Sequence, residues 1–116
     1  MVLRRILVVL LLAAVVLLAE GPGFRNKHLL HEHYLKHGSE FGDISEAEYL
    51  RRARELRDAH PGGPILEAAR PDGTVSKFDK RNGYFVAYNR DGTIRTFFIP
   101  AAGERYFHRQ AGSFHE

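Results

Sequence analysis

Histidine gains and loses its proton closer to neutral pH than any other side chain, so it is the first residue type to follow in a search for acid–base chemistry. This chain of 116 residues has seven, and four of them, His28, His31, His33 and His37, lie close together. His33 and His37 are four apart and share one face of a helix. They fall on the apolar stripe of Leu30, Tyr34 and Phe41, so the pair is either satisfied within a core or placed at the edge of a cleft. His28 and His31 point away from that stripe. His31-Glu32 opens a zincin-like pattern, but the second histidine would have to stand where Leu35 is. A metal site built on histidine would combine His33 and His37 with Glu40 or His108.

Arg95-Thr96 is the second candidate. A guanidinium holds phosphate bidentately, and a hydroxyl can donate to it. Adjacent strand residues point to opposite faces, so only one of the two is expected to face the helices. Tyr106, with His108, Arg109 and Gln110 close by, could stack a base or orient a phosphate; the bland reading is edge-strand packing. There is no Gly-rich phosphate loop and no nucleophile elbow. Of the serines Ser39, Ser45, Ser76 and Ser113, Ser45 is engaged as a helix cap, which makes serine hydrolase chemistry a poor fit.

These residues must be positioned by a small set of elements. Periodicity predicts a helix over Arg25 to Gly38, with Gly38 as its C′ stop. Ser45-Glu46-Ala47-Glu48 is a capping box, and Ile44 with Tyr49 forms its hydrophobic staple. A second helix follows from Glu46 to Ala59, with Tyr49, Ala53, Leu56 and His60 as its core stripe. Its arginine-rich opposite face reads as solvated. Pro61-Gly62-Gly63-Pro64 ends it. Three turn signals, Pro71-Asp72-Gly73, Arg81-Asn82-Gly83 and Arg90-Asp91-Gly92, then separate strands over 65–70, 74–79, 84–89 and 93–99. Tyr106-Phe107 adds a short edge strand or a docked tail. The fold class is therefore α+β: two N-terminal helices followed by a four-stranded antiparallel sheet, with the helices on one sheet face.

The first 19 residues are of a different kind. Arg4 and Arg5 precede an unbroken apolar run from Ile6 to Ala19. This is a basic region followed by an apolar region of signal-peptide length, short of the ~20 residues of a membrane span. Residues 1–19 are expected to be a signal peptide or an uncleaved N-terminal anchor, 20–24 a linker and 25–116 the functional domain. That places the domain in the periplasm or outside the cell.

Setting the leader apart lowers the hydrophobic fraction from 44% to about 35%, and the net charge from +3 to about +1. Net charge alone then gives no case for nucleic-acid binding. The remaining length suffices for one core. The absence of cysteine excludes a disulfide-stapled scaffold, a lipoprotein and a thiolate metal site.

His33-Tyr34-Leu35-Lys36-His37-Gly38-Ser39-Glu40-Phe41-Gly42, followed by Ser45 and Tyr49, resembles the opening motif of small toxin-like domains found at the ends of bacterial polymorphic toxins and in phage proteins. Phe78-Asp79 with Asn82 and Phe85-Val86 is similar to their middle segment. Asp91-Gly92-Thr93-Ile94-Arg95-Thr96-Phe97-Phe98-Ile99-Pro100 is similar to their strand motif, and Tyr106-Phe107 to their closing pair. The resemblance is to the barnase–EndoU–colicin–RelE-like nuclease fold. It implies a metal-independent ribonuclease that needs no cofactor, with His33, His37, Arg95, Thr96 and Tyr106 at its site. RNA, tRNA included, would be the substrate and a cognate immunity protein the partner of a chain acting as a monomer. A non-enzymatic exported protein-binding module is the alternative, and a histidine metal-binding protein a further one.

Overall fold

The computed structural model describes residues 21–112, so the expected leader lies outside the described residues. Helix α1 spans Lys27–His37 and is capped by Asn26, whose side chain accepts from the Leu29 N–H at 2.8 Å. A 3₁₀ turn, Gly38–Phe41, carries the chain on to helix α2, Glu46–Asp58. Strands β1 (Ile65–Ala69), β2 (Val75–Asp79), β3 (Tyr84–Tyr88) and β4 (Ile94–Phe98) follow. They form one antiparallel sheet in the order β1-β2-β3-β4. The α+β class and the helices-then-meander order match the sequence reading, and each strand is within a residue of its expected ends. The chain then adds helix α3, Glu104–Gly112. Tyr106-Phe107, expected as an edge strand or docked tail, is helical.

Alternation along β3 assigns the two faces of the sheet. Tyr84, Val86 and Tyr88 face the main core, where Tyr49, Ala53 and Leu56 of α2 meet Phe41 and Phe97. Phe85 and Ala87 face the other side, where Phe78, Phe98 and Phe107 of α3 form a second, smaller cluster. Both faces are thus covered, which the sequence reading did not foresee.

The main core is organised around Tyr49. Its ring is fully buried, and its hydroxyl donates to the Phe97 carbonyl at 2.5 Å. Burial pushes the phenol well above its ordinary pKa, so it stays a donor. At the end of α2 the expected His60 is exposed, because the helix stops at Asp58 and Ala59 is already extended. Arg57 is buried instead, and its guanidinium donates to the carbonyls of Pro22 and Gly92. Lys77, buried on β2, donates to the carbonyls of Arg57 and Ala59 at 2.6 and 2.5 Å. It therefore satisfies two carbonyls at the C-terminal end of α2.

Two local expectations change. Ser45 caps α2 as expected, its Oγ accepting from the Glu48 N–H at 3.1 Å. The Glu48 carboxylate does not reach back, however. It is held by Arg51 at 2.6 and 2.8 Å and by Arg52 at 2.7 Å, and these hydrogen bonds pull its pKa down to about 2. Gly38 is not a left-handed stop either: its φ is −53°, and the positive φ of +94° falls at Gly42. Gly38 is needed for space, since a Cβ there would lie 2.7 Å from Cδ1 of Tyr34.

Candidate functional site

The site residues gather around β4. This is an edge strand of the sheet, but its edge is not open. Phe24 bridges Ile94 in parallel, and the Ile94 N–H donates to the Gly23 carbonyl at 2.9 Å. Residues 21–24, read as a linker, are docked here. Helix α1 then runs beside β4.

A bulge in β4 decides where Arg95 and Thr96 go. Tyr88 pairs with Ile94 while the next residue back, Ala87, pairs with Thr96. Arg95 is the extra residue. The bulge resets the alternation, so Ile94 and Phe97 both enter the main core although they are three apart. Strict alternation would place Ile94 with Thr96 and Phe98, and the bulge breaks it. Arg95 is thrown outward and exposed. Thr96 is half-buried on the α3 side, the face shared by Phe98.

Arg95 lines an open groove of about 600 Å³ with Phe24, Arg25, Leu29 and His33. Two of the expected residues, His33 and Arg95, therefore meet on one cavity. The His33 ring stands 5.0 Å from that of Phe24 and 6.2 Å from that of His37. Its Nδ1 is buried without a hydrogen-bond partner. Burial, and then the neighbouring His37 and Lys36, hold the imidazole below its ordinary 6.5, which keeps it neutral at neutral pH.

His37 does not line the groove. It stacks on Phe98, with ring centroids 5.1 Å apart, and is largely covered. Its Nδ1 lies 2.7 Å from Oε2 of Glu40, while Oε1 of Glu40 accepts from the Ile99 N–H at 2.9 Å. A carboxylate only accepts, so Nδ1 carries the proton in this pair and Nε2 is left for chemistry. Glu40 thereby ties the imidazole to the end of β4. The sequence reading weighed Glu40 only as a metal ligand. Its place in the His-Gly-x-Glu spacing was visible, but the partner across 59 positions was not.

Tyr106 reaches the same side from α3. Its ring meets Phe85 at 4.9 Å and Phe98 at 5.3 Å, both edge-on. Phe98 thus has His37 on one side and Tyr106 on another, with Thr96 two residues back along the strand. His33, His37 and Tyr106 form a file of rings joined through Phe98, and Arg95 and Thr96 lie beside it.

Three further histidines are engaged elsewhere. His28 pairs with Glu32 at 2.9 Å, His31 with Glu46 at 2.7 Å, and His108 with Glu104 at 2.9 Å. Among the described residues there is no group of three or more His, Asp or Glu side chains arranged to hold a metal ion. The combination of His33, His37 and Glu40 or His108 is not assembled. No family model matches the chain, and no curated protein is significantly similar to it.

Proposed function

We propose that this domain is an exported, toxin-like ribonuclease that cleaves RNA by metal-independent transesterification. The observation that carries the reading is the shared groove of His33 and Arg95, with His37 stacked against His33 and tied down by Glu40. Cleavage requires a base to take the 2′-hydroxyl proton while the 2′-oxygen bonds to phosphorus. It requires an acid to protonate the departing 5′-oxygen as its bond to phosphorus breaks. His33 is suited to the base role because its surroundings keep it neutral. His37 takes the acid role in its doubly protonated form, Nε2–H giving its proton to the departing oxygen while Glu40 accepts from Nδ1–H. Arg95 holds the non-bridging oxygens as charge builds on them, and Thr96 is assigned a donor role from the α3 side of the strand. Tyr106 borders this face and orients the nucleotide. Export rests on the N-terminal leader, and RNA and a cognate immunity protein are the partners this reading implies.

The test uses the full chain with structured and tRNA-like RNA, with and without EDTA. Cleavage leaving 2′,3′-cyclic phosphate ends is expected, indifferent to EDTA and reduced at least ~100-fold by His33→Ala or His37→Ala. Absence of cleavage at any enzyme level, or cleavage untouched by both substitutions, returns the domain to the protein-binding alternative.

A further inference from the structure

The groove of His33 and Arg95 does not end at Arg95. A second open cavity of about 350 Å³ continues from it, and the two share Asn89, Asp91 and Arg95. The second is bounded by Asp72 and Thr74 of the β1–β2 loop and by Arg90 of the β3–β4 loop. One trough therefore runs from Arg25, past His33 and Arg95, across the tips of two hairpins to Arg90.

These hairpin tips are built alike. In each, an Asp-Gly-Thr sequence closes the loop, and the aspartate accepts from the threonine N–H, at 2.8 Å for Asp72 and 2.9 Å for Asp91. Each carboxylate thus has one oxygen on a backbone amide of its own turn, and those bonds hold both groups in the ionised form, below the ordinary carboxylate pKa. The Arg90 guanidinium lies flat over Gly73, where a Cβ would come within 2.8 Å of its Nε. Glycine at 73 is what lets Arg90 lie across the trough.

Many arginines outside the trough are held by carboxylates. On α2, Arg51 and Arg52 are bound to Glu48, and Arg57 to Asp58, while Arg81 is bound to Asp79. Arg25, Arg90 and Arg95 make no hydrogen bond or ion pair among the described residues. Three guanidinium groups without a direct hydrogen bond or ion pair, Arg95 among them with Asp72 near enough to feel its charge, lie along one concave line and match the repeated phosphates of an extended strand. Asn89 between them offers an amide to a base edge.

We infer that this trough is a single-strand track. Arg95 holds the scissile phosphate at its centre, Arg25 and Arg90 hold phosphates on either side, and the preferred ligand is an unpaired polynucleotide of at least four nucleotides. The chemistry at Arg95 rests on the ribonuclease reading; the track itself is a binding claim and is tested without cleavage.

The full chain is titrated with fluorescein-labelled 2′-O-methyl oligouridylates of two and eight nucleotides, which lack the attacking hydroxyl, and anisotropy is followed across a salt series. Expected are tighter binding of the octamer than of the dimer, and about tenfold weaker octamer binding in Arg25→Gln and in Arg90→Gln. Each substitution should flatten the salt slope by about 0.7, while Arg109→Gln, the same charge change outside the trough, should alter neither. Both trough arginines are exposed and unbonded, and an unchanged Tm shows that each variant is folded.

Octamer binding that is equal in Arg25→Gln, Arg90→Gln and Arg109→Gln overturns the track, even if RNA is cleaved. The expected binding pattern without cleavage of natural RNA overturns the ribonuclease reading and leaves the track standing. No octamer binding at low salt overturns the track.

Discussion

At the residue scale, the site turns on two imidazoles four positions apart in unlike surroundings. The carboxylate of Glu40 fixes His37 by one oxygen and the backbone of Ile99 by the other. Glu40→Gln keeps an acceptor for Ile99 but removes the charge beside the imidazole. It is expected to lower kcat by about ten- to a hundredfold with KM little changed, as for a positioning residue acting through His37. Steady-state cleavage kinetics check this; a rise in KM alone would make Glu40 a binding group. His33 has the opposite surroundings, since burial lowers its pKa. The folded state then binds fewer protons than the unfolded chain as pH drops below 6.5. Its stability contribution is complete above that value and is lost as pH falls toward the folded pKa. Thermal unfolding from pH 7 to 5 should show Tm declining in the wild type and declining less in His33→Leu; equal slopes would remove His33 as the cause. The histidine pair was legible because helical spacing is local. Its asymmetry was not, because it depends on Phe24, Phe98 and the end of β4.

At the element scale, the 3₁₀ turn between the helices is set by side-chain space rather than by backbone handedness. The Tyr34 ring lies over Gly38 and its hydroxyl donates to the Ile44 carbonyl at 2.6 Å. Gly38→Ala would relieve a helix-propensity cost of ~1 kcal/mol. It would also press a methyl group against a ring that cannot move without breaking that hydrogen bond. A net loss of roughly 1–3 kcal/mol is expected by urea unfolding; stabilisation would show that the ring can yield. The Ser45 cap and the hairpin turns were readable because each is specified within four residues. The Lys77 bonds to the end of α2 were not, because they join a strand to a helix end 18 and 20 positions back.

At the scale of the whole molecule, the sheet is covered on both faces, and α3 supplies the second cover. Phe107 is buried there beside Phe78, at a ring distance of 6.3 Å. Phe107→Ala should cost roughly 3 kcal/mol in chemical denaturation. It should also lower cleavage, because Tyr106 on the same helix borders Phe98. A loss below ~1 kcal/mol would mean that α3 is not integral to the fold. The α3 sequence did not announce itself as a helix: Tyr106-Phe107 is a short aromatic pair, equally suited to a strand, and only the sheet face beneath it selects the helical form.

Sequence alone determined what depends on near neighbours: two helices, the serine cap, four strands between Asp-Gly and Asn-Gly turns, and the α+β class. It also put His33 and His37 on one helix face. Tertiary structure decided which of those residues share a space. The bulge in β4 turned Arg95 outward beside His33, and Glu40 chose one nitrogen of His37. The two hairpin loops joined separate cavities into one trough. Each of these outcomes depends on strand register or on contacts between distant segments, and no local pattern encodes either.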